Sequence, residues 1–189
     1  MSALRKNLLD GVYFNHIYTS KFKTTRVSVT MMMPLEKDTA AALTILPAML
    51  TRSCKKYPDF TILNHELDKL YGADIYSQAR KIGENLGITI SMNFIDDKFT
   101  IDKEKISEKL FSLLCEIIFE PKIIDGKFNS DELEIEKAQL MDSIMAEYND
   151  KRSYSIKKMI STMCADEPFG IAHYGSYDNV SKLTGEGSV

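Results

Sequence analysis

Strand-like stretches arrive in neighbouring pairs along this chain, and that order limits the fold more than any other feature. From Gly11 to Pro34 the residues are β-branched and aromatic, Val-Tyr-Phe-Asn-His-Ile-Tyr and then Arg-Val-Ser-Val-Thr-Met-Met-Met, with polar residues 19–25 between them. Two strands and a turn are expected there. Residues 39–51 follow as an uncharged apolar stretch, expected as a helix buried on most of its circumference, with Asp38 or Thr39 as its cap. Pro58-Asp59 then opens a second helical pattern, Ile62, Leu63, Glu66, Leu67 and Leu70, with Gly72 where a C-terminal glycine stop belongs. A second strand pair, 74–81 and 86–94, surrounds Gly83 and Gly87. Ile88, Ile90 and Met92 alternate there with Thr89, Ser91 and Asn93, predicting one buried face and one wet face. Residues 104–120 read as an amphipathic helix ended by Pro121. After an Asp125-Gly126 turn, one long helix is expected from about Ser130 to Cys164. Paired strands favour an α+β fold, an antiparallel sheet with helices packed on one face, over a parallel doubly wound sheet.

The 189 residues form one domain by length, 1–189, enough to bury a core without a staple. The C-terminal end predicts truncation, because residues 183–189 carry a helix-start signal with no helix after it. With 24 basic and 27 acidic residues the net charge is −3, so the field that attracts phosphate backbones is missing and nucleic acid is not an expected partner. Cys54, Cys115 and Cys164 are odd in number and lack CxxC spacing, pointing to reduced thiols and a cytoplasmic location. The N-terminal residues have no apolar stretch of signal-peptide length, and the 39–51 stretch is too short to cross a bilayer, so no membrane is expected.

Phosphate-cradling glycine patterns and a GxSxG nucleophile elbow are absent. Only His16, His65 and His173 supply imidazoles. His65-Glu66-Leu67-Asp68-Lys69 begins like a HExxH zinc motif and ends in an ammonium that has no lone pair to donate. The acids 131, 132, 134, 136, 142 and 147 read as a solvated helix face. Within it Glu132 and Glu136 repel at i, i+4 spacing unless paired, with Lys137 as local counter-charge. The ten methionines, including Met31 to Met33, read as core filler.

Four segments in order carry a resemblance: Leu43-Thr-Ile-Leu-Pro-Ala-Met-Leu-Thr-Arg-Ser, Asn64-His-Glu-Leu-Asp-Lys-Leu-Tyr-Gly-Ala-Asp, Asp131-Glu-Leu-Glu-Ile-Glu-Lys-Ala-Gln-Leu-Met-Asp-Ser-Ile and Pro168-Phe-Gly-Ile-Ala-His-Tyr-Gly-Ser. Together they resemble the N-terminal domain of insulinase-family peptidases, the group of pitrilysin and mitochondrial processing peptidase, across nearly the whole chain. The resemblance implies the metallopeptidase half-domain fold of that superfamily. Active members carry HxxEH on the buried helix before a Met-Leu pair. Aligned on Met49-Leu50, the first histidine position holds Thr44, the glutamate position Pro47 and the second histidine position Ala48. The third zinc ligand, a glutamate, falls on Ser143, while the supporting acid seven residues earlier is retained as Glu136. The family asparagine after the Gly72 turn is replaced by Ile75.

Alanine has no donor atom, a threonine hydroxyl is a poor neutral ligand and proline cannot accept a proton from water, so no catalytic residue, no metal site and no cofactor is expected. By resemblance the chain is expected to be a non-catalytic subunit that binds peptide, pairs with an active zinc-peptidase partner, or both. Ile75, Tyr76, Ser77 and Gln78 are the candidate peptide-binding edge, where an added strand gains main-chain hydrogen bonds. The alternatives are a metallopeptidase with an atypical site built from His65 with Asp68 or Glu136, and a self-associating structural module, including a homodimer.

Overall fold

The computed structural model of the chain describes residues 2–185. The elements run β1 (Ser2–Leu9), β2 (Val12–Tyr18), β3 (Thr24–Pro34), α1 (Ala40–Arg52), α2 (Phe60–Lys69), β4 (Asp74–Ile82), β5 (Asn85–Ile95), α3 (Ile106–Phe119), α4 (Ser130–Ala146), α5 (Lys151–Met163) and a short α6 (Tyr177–Ser181). Strands β3, β5 and β4 form an antiparallel sheet in that spatial order, so β5 is central and β4 is an edge. The fold is α+β, as the paired strands predict.

Pleating puts Ile88, Ile90, Met92 and Phe94 of β5 on one face, each nearly or wholly buried. Ile90, Met92 and Phe94 pack with Val27 and Val29 of β3, Ile75 of β4 and a helical layer of Leu50, Leu63, Leu67, Leu110, Leu114 and Ile117. Each such side chain contributes roughly 1.5–3 kcal/mol by leaving water. The opposite face is polar: Arg26 Nη2 donates to Ser91 Oγ at 3.1 Å, and the Thr30 and Thr89 hydroxyls lie 2.9 Å apart. Ser91 is nevertheless fully buried, contrary to the wet face expected of it. A central strand is flanked on both sides, and Arg26 covers the serine. Ile62, placed on the buried face of α2 by its spacing, is half exposed, while Leu63, Leu67 and Leu70 do reach the core.

The N-terminal hairpin departs most from the sequence reading. The strand over 12–18 pairs with β1, which the composition of residues 1–11 did not suggest, and not with β3. Asp10-Gly11 makes the turn, with Gly11 at φ +74°, and an Asp-Gly pair between apolar stretches was the available signal. Both faces of this hairpin are exposed, including Leu4, Phe14, Ile17 and Tyr18.

The long helix expected from 130 to 164 is two. After a 3-10 turn at Glu147–Asn149, Asp150 leaves helical geometry and its carboxylate accepts from Ser153 N and Oγ, starting α5 afresh. Those two bonds hold the Asp150 carboxyl below its ordinary range. Only some methionines fill the core: Met49 and Met92 are buried, whereas Met145, Met159 and Met163 are exposed. Residues 186–189, on which the expected truncation partly rests, lie outside the described residues.

Candidate functional site

Helix α1 is begun by Thr39, whose side chain makes no capping bond, and carries Pro47 in its interior. Proline removes one helix N–H, and Thr51 Oγ1 donates to the carbonyls of Pro47 and Ala48 at 3.0 Å near that defect. Thr44 and Ala48, four residues apart, share one face of α1. Opposite them α4 presents Glu136, Gln139, Leu140 and Ser143, and the two helices flank an open, shallow cavity of about 200 Å³ lined by these six residues and Ile45. Thr44, Ala48, Glu136 and Ser143 therefore come together from positions 44 to 143. Pro47 does not join them; it is fully buried in the core instead.

The side chains in this cavity are already committed or lack donor atoms. Thr44 Oγ1 donates to the backbone carbonyl of His173 at 2.6 Å. Glu136 Oε1 receives Arg52 Nε at 2.7 Å, and both side chains are largely shielded from solvent. This ion pair joins the C-terminal turn of α1 to α4. Ala48 offers nothing, and Ser143 adds one neutral hydroxyl. A zinc ion needs three or four nitrogen, sulfur or carboxylate donors converging at roughly 2 Å, so the donor set does not fit that metal. Among the described residues no three His, Cys, Asp or Glu side chains cluster in a way that would hold an ion.

The histidines lie apart from one another. His16 is on the exposed hairpin and His65 on the exposed side of α2, while His173 sits half-buried in the loop before α6. Burial chiefly, then the ammonium of Lys157, holds the His173 imidazole below its ordinary value, opposed by Glu147 and assisted by Lys81. The sequence pairs Lys137 with the repelling acids Glu132 and Glu136. In the structure its buried ammonium instead reaches Glu134 at 2.7 Å and the Leu183 carbonyl at 2.9 Å, leaving Glu136 to Arg52. Arg52 was not among the residues singled out from sequence, because an inter-helix partner has no local signal. The cysteines are all free thiols.

Ile75, Tyr76, Ser77 and Gln78 lie on β4, whose outer edge has no paired strand among the described residues. Ile75 and Ser77 point to the helical side, where Thr51 Oγ1 of α1 stands 3.3 Å from Ser77 Oγ; Tyr76 donates its hydroxyl to Gln78 Oε1 at 2.9 Å.

No family model matches the chain. A curated protein of Bacillus subtilis (strain 168), "Probable inactive metalloprotease YmfF", is 33% identical over 181 residues, which is 96% of this chain and 42% of that one. A crystal structure titled "peptidase M16 inactive domain", from Pseudomonas fluorescens, superposes with a TM-score of 0.69 over 97% of this chain and 41% of that one, at 15% identity. The chain is similar to a protein named a probable inactive metalloprotease, and its fold is that of the peptidase M16 inactive domain. A conserved protein from Enterococcus faecalis has the same fold, with a TM-score of 0.89 and 28% identity over 97% of this chain and 43% of its own. The chain thus spans about two-fifths of the length of these relatives. Among its described residues no helix is long and apolar enough to cross a membrane.

Proposed function

We propose that this insulinase-type domain is a non-catalytic subunit that binds peptide and pairs with an active zinc-peptidase partner, in the cytoplasm. The observation that carries the reading is the cavity between α1 and α4. It is lined by Thr44, Ala48 and Ser143, which the family resemblance aligns with metal-holding positions, and by Glu136, which is paired with Arg52. The name of the Bacillus relative supports the non-catalytic part of the reading. The unpaired outer edge of β4 supports the peptide-binding half of the reading, since a strand laid along 75–78 would gain main-chain hydrogen bonds. Three free thiols suit a reducing compartment.

The test mixes the purified chain with a protein encoded beside it that carries HxxEH. A stable complex with altered peptide cleavage is expected; no complex and unchanged cleavage would count against the proposal.

A second reading, self-association into a homodimer, is favoured by one feature. The β1–β2 hairpin exposes apolar side chains on both faces, and a two-stranded ribbon is marginally stable alone. Light scattering of the isolated chain separates the two, because a dimer of mass twice 21.5 kDa supports the homodimer and a monomer that shifts only with the partner supports the pair. The atypical-peptidase reading has no such support, since Glu136 is held by Arg52 and His65 projects from another helix.

A further inference from the structure

Helix α5 stands nearly clear of the rest of the molecule. None of its 13 residues is buried, and it touches chiefly the turn before it, Glu147–Asn149, and the turn at Pro168–Gly170. Both of its ends are nonetheless fixed. Asp150 caps the first turn through Ser153, the rings of Tyr148 and Tyr154 pack with centroids 4.7 Å apart, and Lys157 pairs with Glu147. At the far end Glu167 N donates to the Cys164 carbonyl at 3.1 Å, and a side chain at Gly170 would overlap that same carbonyl. The helix is thus a rod held at its ends with its flank open.

That flank carries two kinds of side chain. Ile156, Met159, Ile160 and Met163 recur at i, i+3, i+4 and i+7 and form one apolar stripe, of which Ile156, Met159 and Met163 are 46%, 53% and 76% exposed. Lys151, Arg152, Lys157 and Lys158 are basic, and no acid occurs in the helix, although the chain as a whole has a net charge of −3. Arg152 continues the stripe one turn earlier, and Lys157 and Lys158 lie on either side of it. Neither Arg152 nor Lys158 meets a carboxylate among the described residues.

Apolar anchors at this spacing are what an apolar groove receives, and the basic border selects a groove of the opposite sign. A second copy of α5 is the wrong occupant, because it would set four basic residues against four more. A lipid surface is poorly matched too, since the stripe is short and holds no aromatic ring to anchor it. Methionines, unbranched and adaptable, suit a protein surface better.

We propose that α5 is a docking helix, and that it seats in an apolar groove bordered by Asp and Glu carboxylates on the active zinc-peptidase partner. The inference rests on the pairing reading above and names the surface that each side brings to it.

The probe is the purified protein encoded beside this one that carries HxxEH, and its affinity for the whole chain is measured by calorimetry at low and high salt. Wild-type binding is expected to weaken as salt rises. Arg152→Glu combined with Lys158→Glu should lower the affinity by about tenfold or more and remove most of that salt dependence. Met159→Ser combined with Met163→Ser should lower it by about tenfold and leave the salt dependence in place. A photo-cross-linker placed at Met159 should join a segment of the partner that contains both carboxylates and apolar side chains. Because α5 buries none of its residues, an unchanged urea midpoint is expected for each variant; if a midpoint falls, the cross-link decides. A complex that forms yet is weakened by neither pair of substitutions overturns the docking helix and leaves the pairing reading standing, whereas absence of any wild-type complex removes both. A cross-link confined to this chain overturns it as well. So does intact partner binding in variants that have lost binding to phosphatidylserine vesicles or lost a self-dimer, which would assign α5 to lipid or to a second copy.

Discussion

At the scale of single residues, Thr44, Ala48 and Ser143 offer no imidazole or carboxylate, and beside them Arg52 pairs with Glu136. The pair is shielded, so removing one partner strands a charge. Arg52→Ala is expected to destabilise the chain by about 2 kcal/mol, near the range for hydrogen bonds to charged groups, measured by urea unfolding. Adding Glu136→Ala to that variant should recover part of the loss, because the orphaned charge is then gone. The same geometry predicts that the cavity can be refilled. Thr44→His, Ala48→His and Ser143→Glu made together put two imidazoles at i, i+4 on α1 opposite a carboxylate on α4. The triple variant is expected to take up one zinc per chain, read by metal analysis after dialysis. A triple variant that folds but takes up no zinc would show that these positions do not converge closely enough.

Elements show where sequence was sufficient and where it was not. Helix α3 was legible because its apolar period of 3.6 is matched by burial of Ile106, Leu110, Leu113, Leu114 and Ile117. Strand β5 was legible in position, but its second face was misjudged because alternation cannot reveal that a strand is central. The break at 147–150 was missed since neither Pro nor Gly marks it; the signal was an Asp-x-x-Ser cap inside a helix-rich stretch. The cavity's wall positions were legible only through the family alignment, and neither Arg52 nor the His173 carbonyl, both non-local partners, carries a sequence signature. These differences set two expectations for urea titrations. Leu114→Ala, fully buried in α3, should cost about 2–5 kcal/mol. Ile156→Ser, half exposed on α5, should stay within about 0.5 kcal/mol in the isolated chain.

For the molecule as a whole, the sheet and its helical layer pack into a buried core, while the hairpin and the Ile156, Met159 and Met163 stripe of α5 expose apolar surface. Surface of this kind marks interaction sites. Relatives more than twice as long show that the same fold occurs with much additional chain beside it. The pairing proposal therefore places its interface on these patches, and Ile156→Ser, harmless to the isolated chain, should weaken any complex with the active partner. Beneath this lies the claim that the space between α1 and α4 has lost its metal-holding chemistry. It is tested most directly by incubating the purified wild-type chain with zinc, dialysing it and measuring the metal retained per chain. Background zinc, well below one ion per chain, is the predicted result; one tightly held ion per chain that disappears in Glu136→Ala would contradict it.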